Sequence, residues 1–183
     1  ATPRKLRIAS WFEWCCGVAP DAKREFHRLF ITTHHDAKRR AIIAEKNMWD
    51  IPSKNEKEHW NRPWHYVAAH AVGGIRFEHD FATADKEVFL GRYCDPSSPA
   101  SMTGPSLRKG FGRFSDAACA LGGDFTLAAN GRQTLHYVTT IAGTRAEVEA
   151  LIDRYSEEPL AQGVAVAAKR AWSDRLAATG VST

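Results

Sequence analysis

The dipeptide Asn130-Gly131 constrains this chain more than any other feature. Both residues tolerate positive φ, so the pair favours a two-residue turn between paired strands. Phe125 to Ala129 precedes it and Gln133 to Ile141 follows, and both runs have the texture of strands. A two-residue turn sets Leu127 opposite Thr134 and Phe125 opposite His136. Opposed residues share a face. Phe125, Leu127 and Val138 then line one face, and Leu135, Tyr137 and Ile141 the other. Apolar residues on both faces imply that both are covered.

The segments around this turn read as alternating helices and strands. Thr144-Arg145-Ala146-Glu147 is a capping box. Val148, Leu151, Ile152 and Tyr155 follow at i, i+3, i+4 and i+7, the spacing of a helix face. Glu157-Glu158-Pro159 ends or bends that helix. Gly163 to Ala168 reads as a last strand, and Trp172 to Ala178 as a short helical tail. Upstream, Ser106 to Leu121 places Leu107, Phe111, Phe114, Ala118 and Leu121 on one helical side, and Gly122-Gly123 supplies a stop. Glu87 to Tyr93 reads as a strand and Asp95 to Pro105 as a Pro- and Gly-punctuated loop. The order from Lys86 to Trp172 is then βαββαβ, a ferredoxin-like α+β unit.

The stretch FSDAACALGGDFTLA, from Phe114 to Ala128, resembles the helix-to-strand segment of the YCII-like family, within the dimeric α/β-barrel superfamily. TRAEVEALIDRYSEEPLAQGVAVAAKRAW, from Thr144 to Trp172, is similar to that family's closing helix, turn and last strand. The resemblance covers the C-terminal half only and implies a half-barrel that pairs sheet to sheet. It also implies a His after the first strand, paired with an Asp in the turn. Here no His lies between His79 and His136, and the turn carries Glu158 in place of Asp. His136 and Glu158 are therefore the catalytic candidates under that resemblance.

The N-terminal half reads as mainly helical. Residues 1–18 form an irregular but apolar opening segment. A helical pattern runs from Pro20-Asp21 to about Asn47, with Phe26, Phe30, Ala37, Ala41, Ala44 and Met48 near one face. Ile51-Pro52 closes it. A second helix starts at Pro63, carries Trp64, Val67, Ala68, Ala71 and Val72, and stops at Gly73-Gly74. Ile75 to Phe81 reads as a short strand or extended link. The expected organisation is a Trp- and His-rich helical extension over residues 1–85, a ferredoxin-like domain over 86–175 and a tail over 176–183.

Charge and cysteine usage narrow the function classes. The net charge of +4 is mild and mixed with acids, which is no nucleic-acid footprint by itself. No stretch approaches the ~20 apolar residues that span a bilayer. Cys15, Cys16, Cys94 and Cys119 form no CxxC pair and read as reduced, buried thiols in an intracellular, reducing compartment. All but His136 of the eight histidines lie between His27 and His79. His65 and His70, five apart, would sit about 140° apart on a helix. Without an HExxH pattern these read as surface or packing residues and no metal is expected. Asp80, Asp85, Glu87 and Asp95 read as a solvated acidic face. Lys109-Gly-Phe-Gly-Arg113 lacks the phosphate-loop patterns and reads as a helix start.

These features point to a non-catalytic structural or interaction subunit of a larger assembly, without cofactor. Trp11, Trp14, Trp49, Trp60, Trp64 and Tyr137 are its interface candidates, since buried aromatics anchor protein contacts. The partner would be other protein subunits or a second copy of the chain. If Ala1 follows a cleaved targeting segment, a mitochondrial complex is the natural home: a respiratory complex, ATP synthase or ribosome. A small YCII-like lyase or isomerase acting on a small acid is the alternative. An RNA-associated protein, using Lys38-Arg39-Arg40 and the tryptophans, is the third reading.

Overall fold

Long runs of small and branched apolar residues dominate the chain's middle. In the computed structural model, which describes residues 2–16, 25–46, 66–104, 109–114 and 116–180, those runs are strands. The strands are β1 (Arg4–Glu13), β2 (Ile31–Asp36), β3 (Ala41–Lys46), β4 (Val67–Gly73), β5 (His79–Asp85), β6 (Gly112–Arg113), β7 (Ala117–Leu127) and β8 (His136–Ala142). A 3-10 turn, Glu25–Phe30, precedes β2. The α-helices are α1 (Lys86–Leu90), α2 (Ala100–Thr103), α3 (Arg145–Tyr155) and α4 (Glu158–Ala178). The strands form two antiparallel sheets, one ordered β1-β7-β5 and the other β6-β2-β3-β4-β8. Each sheet takes strands from both sides of residue 85.

The two sheets pack face to face. Ile42, Ala44, Ala68 and Val72 of the larger sheet meet Ala82, Ala84, Cys119 and Leu121 of the smaller one, with Trp14 and Ile31 in the same core. Alternation sends the other side chains outward, and helices cover those too. Ala41, Ile43, Ala69 and Ala71 pack under Val148 and Ile152 of α3. Phe81 and Ala120 pack with Phe89 and Leu90 of α1. Strands covered on both faces read as continuous apolar runs, as parallel strands usually do.

That double covering overturns the α+β reading. The chain is a β-sandwich, not a ferredoxin-like unit behind a helical extension. The expected helix over 20–47 is a 3-10 turn and the hairpin β2–β3 where it is described. The expected helix from Pro63 is strand β4 from Val67 onward. In residues 67–72 apolar side chains fall at helical spacing only because nearly every position there is apolar. Ser106 to Leu121 is likewise not a helix: it contains β6 and the start of β7. Gly122-Gly123 is no helix stop but the middle of β7, where a methyl on Gly122 would run into the Ile8 carbonyl of β1 and one on Gly123 into the Phe77 ring. The opening segment is a ten-residue strand paired to β7 from Arg4↔Leu127 to Glu13↔Ala118.

The remaining corrections are local. Glu87 to Tyr93 is not a strand, because the Asp85 carboxylate accepts the Glu87 and Val88 N–H groups (2.9 and 3.2 Å) and starts α1. The Asn130-Gly131 turn exists, with Asn130 at φ 56° and Gly131 N–H donating to Ala128 O. It joins no hairpin, however. β7 pairs with β1 and β5, and β8 crosses to pair with β4, His70 opposite Thr139. Gly163 to Ala168 lies inside α4, not in a strand. Lys109 to Arg113 starts no helix. Gly110 O accepts from Ala84 N–H of the smaller sheet, and Gly112 exchanges bonds with the Thr33 hydroxyl of the larger one.

Helix α3 forms as expected. Glu147 N–H donates to Thr144 Oγ1 (3.3 Å), and the Glu147 carboxylate accepts from Thr144 N–H (3.0 Å). Arg39 of the β2–β3 turn fastens α3 to the larger sheet, pairing with Asp153 (2.8 Å), Asp36 (2.8 Å) and Glu149 (3.2 Å). Among the described residues no helix is long and apolar enough to cross a membrane.

Candidate functional site

The sandwich offers two kinds of surface, ionic clusters at its ends and an apolar groove along one edge. At one end Glu13 closes β1. It accepts hydrogen bonds from Lys86 (2.7 Å) and Arg28 (2.6 Å), and both cations reach on to Asp116. Lys86 and Arg28 hold the Glu13 carboxyl below its ordinary range. Elsewhere Arg7 clasps Asp124 with two bonds (2.6 and 2.8 Å) and Arg39 clasps Asp153, and each carboxyl is held low by its guanidinium. Burial pushes Asp36 up, but its bonds from Arg39 outweigh that and keep it low. A general acid needs the reverse, a carboxyl raised toward neutrality.

Cys16 and Cys119 are poor nucleophiles at neutral pH, whereas Cys94, expected to be buried, is exposed. Burial, followed by the neighbouring Cys15, pushes Cys16 up to about 12, and burial alone raises Cys119 well above its ordinary value. A reactive cysteine requires a depressed value. Among the described residues no group of three His, Cys, Asp or Glu side chains could hold a metal ion. Of the residues read as a solvated acidic face, Asp80, Glu87 and Asp95 are exposed and Asp85 is half-buried; Asp85 also caps α1 and Asp95 the Ser97 turn.

The groove lies along β8, at the open edge of the larger sheet. It measures about 460 Å³ and is lined by His136, Val138 and Thr140 of β8, Leu151 and Tyr155 of α3, and Val164 of α4. His136 Nε2 sits 2.9 Å from Ser156 O and ties the strand to the α3–α4 junction. Glu158, its expected partner, begins α4. Beyond the groove α4 runs on with its apolar side chains in solvent: Leu160, Val164, Val166 (70% exposed) and Trp172 (62% exposed). Leu160, Val164, Ala168, Trp172 and Leu176 recur every fourth residue, a ridge that winds around the helix by about 40° per step.

The tryptophans and Tyr137 divide between core and surface. Trp14 is 4% exposed within the inter-sheet core. Trp11 is half-buried on the outer face of β1, with Phe89. Tyr137 is half-buried between the sheets, stacked on His70. Trp49, Trp60 and Trp64 lie outside the described residues, as do His59 and His65.

His70, read only as a surface or packing histidine, is one of the residues that tie the sheets together. His70 is 3% exposed. Its Nδ1 sits 2.8 Å from Thr139 Oγ1 of the adjacent strand, and its Nε2 sits 2.9 Å from Ser10 Oγ of the opposite sheet. Tyr137 stacks on it and Phe12 meets it edge-on. The available signal was its position at the centre of an otherwise apolar run, where a polar residue needs partners on both sides.

No curated protein matches the chain. The resemblance to the YCII-like family is overturned by a family model that spans most of the chain and agrees with the two-sheet architecture. That model, described as the glycosyl hydrolase 94 supersandwich domain, matches residues 1–158, and the chain belongs to this family.

Proposed function

We propose that this chain is the non-catalytic β-sandwich module of a glycoside-acting enzyme, and that α4 with the β8 groove packs against the enzyme's catalytic body. The observation that carries the reading is α4. It begins at Glu158, where the family match ends, and its Leu160, Val164, Val166 and Trp172 face solvent. A helix of 21 residues spans about 32 Å. Most helical stability in proteins comes from packing an apolar face, so the exposed apolar side chains of α4 call for a partner. The lowered carboxyls of Glu13 and Asp124 and the raised thiol of Cys16 are ill-suited to acid–base or nucleophilic chemistry, which supports a structural role for those residues.

The test has two arms. The isolated chain is expected to release no product from aryl glycosides or disaccharides. In the enzyme that carries it, the double substitution Val164→Glu and Trp172→Glu is expected to split one calorimetric transition into two as the module undocks. Turnover by the isolated chain, or an unchanged single transition, refutes the reading.

A further inference from the structure

A second pocket lies on the outer face of the three-stranded sheet, where β1 presents Ala9 and Trp11. Phe89 of α1 is 3% exposed and nearly parallel to the indole, with 9° between planes and 6.1 Å between centroids. It backs the half-buried Trp11 and fixes its plane. The adjoining cavity measures about 570 Å³, within the ~300–1,000 Å³ of small-molecule sites. Pro96 to Pro99 and the α2 residues Met102 and Thr103 form its walls.

Those walls are held in place before any ligand arrives. Arg7, anchored on Asp124, donates to Ser101 O (2.8 Å) and Gly104 O (2.7 Å) and pins both ends of α2. Asp95 accepts from Ser97 N–H (2.8 Å) and from its hydroxyl (2.5 Å), which fixes the loop. Pre-set walls lower the ordering cost of binding. No side chain lining the pocket is charged. Ser97, Ser98 and Thr103 line it from exposed positions; the Ser97 and Thr103 hydroxyls donate to Asp95 and to Ala100 O and keep their lone pairs as acceptors. An indole face with a rim of hydroxyls suits an uncharged ligand with one apolar face and polar edges. A pyranose ring is such a ligand. Its polarised C–H groups meet the negative face of the indole, and its hydroxyls meet the rim.

We propose that this pocket is a glycosyl-binding subsite, separate from the α4 surface, with a neutral sugar seated on Trp11. The choice of ligand class rests on the reading of the chain as part of a glycoside-acting enzyme. The test is titration calorimetry and tryptophan fluorescence with cellotetraose and with maltotetraose at millimolar concentration. At least one is expected to bind the wild-type chain. Trp11→Ala is expected to weaken it about tenfold, the weight of one aromatic contact. Because Trp11→Ala also removes packing on Phe89, Ser98→Trp serves as the second variant: it fills the cavity from an exposed loop and is expected to abolish binding with the circular dichroism spectrum unchanged. No binding of either sugar, or equal binding to a folded Ser98→Trp variant, overturns the subsite. The module reading is judged separately, on turnover and calorimetric coupling.

Discussion

His70 makes the stability of the sandwich depend on pH between about 4 and 6.5. Burial between the sheets lowers its pKa from 6.5 to about 4. The unfolded chain therefore binds more protons than the folded one between those values. Stability rises with pH through that window and is lost as pH falls, because the buried ring must either take up a charge or leave its site. The difference, at about 1.4 kcal/mol per pH unit, is worth about 3 kcal/mol in all. Between pH 7 and pH 5 the same linkage removes about 2 kcal/mol. The lowered carboxyls of Glu13, Asp36, Asp124 and Asp153 stay ionised there and titrate only in more acid solution. His35 is also lowered by burial and shifts stability in the same direction, so the measurement is a difference. Urea unfolding of the wild type and of His70→Gln, at pH 7 and pH 5, isolates the His70 share. The variant is expected to be less stable at pH 7 and to lose about 2 kcal/mol less on acidification. Equal losses in the two proteins would show that His70 is not held neutral between the sheets.

Two further expectations follow from local geometry. Gly122→Ala places a methyl against the Ile8 backbone, which cannot rotate aside, so a loss of about 3 kcal/mol is expected from denaturant midpoints. Gly163→Ala, in open space on α4, should gain about 0.5–1 kcal/mol in the same assay, and equal effects would contradict the strand placement of Gly122. Thr144→Ala removes the α3 cap and is expected to cost about 1 kcal/mol by the same measurement; no change would mean the capping box is not formed.

What was legible in the sequence was local chemistry. The capping box at Thr144 and Glu147 depends on residues three apart, and α3 formed as read. The Asn130-Gly131 turn also formed, because its positive φ is a property of those two residues. What failed was partner choice. A tight turn says that the chain reverses, not that the flanking strands pair with each other. β7 found β1 and β5, and β8 found β4, across a hundred residues and more in the case of β1.

The same argument explains why the site was read only in part. Periodicity separates strand from helix when one face is polar. In β3, β4 and β7 both faces are buried, so Ala41 to Ala44 or Ala117 to Leu121 carries no period. The interior polar residues were the better guide. His70 in β4, Thr33 in β2 and Thr83 in β5 are each buried with a hydroxyl or carbonyl partner on another segment. Conversely α4, read as strand then helix, has its apolar residues in solvent. Its apolar residues answer to no partner within this fold, so the period there reported an exposed surface and not a buried one.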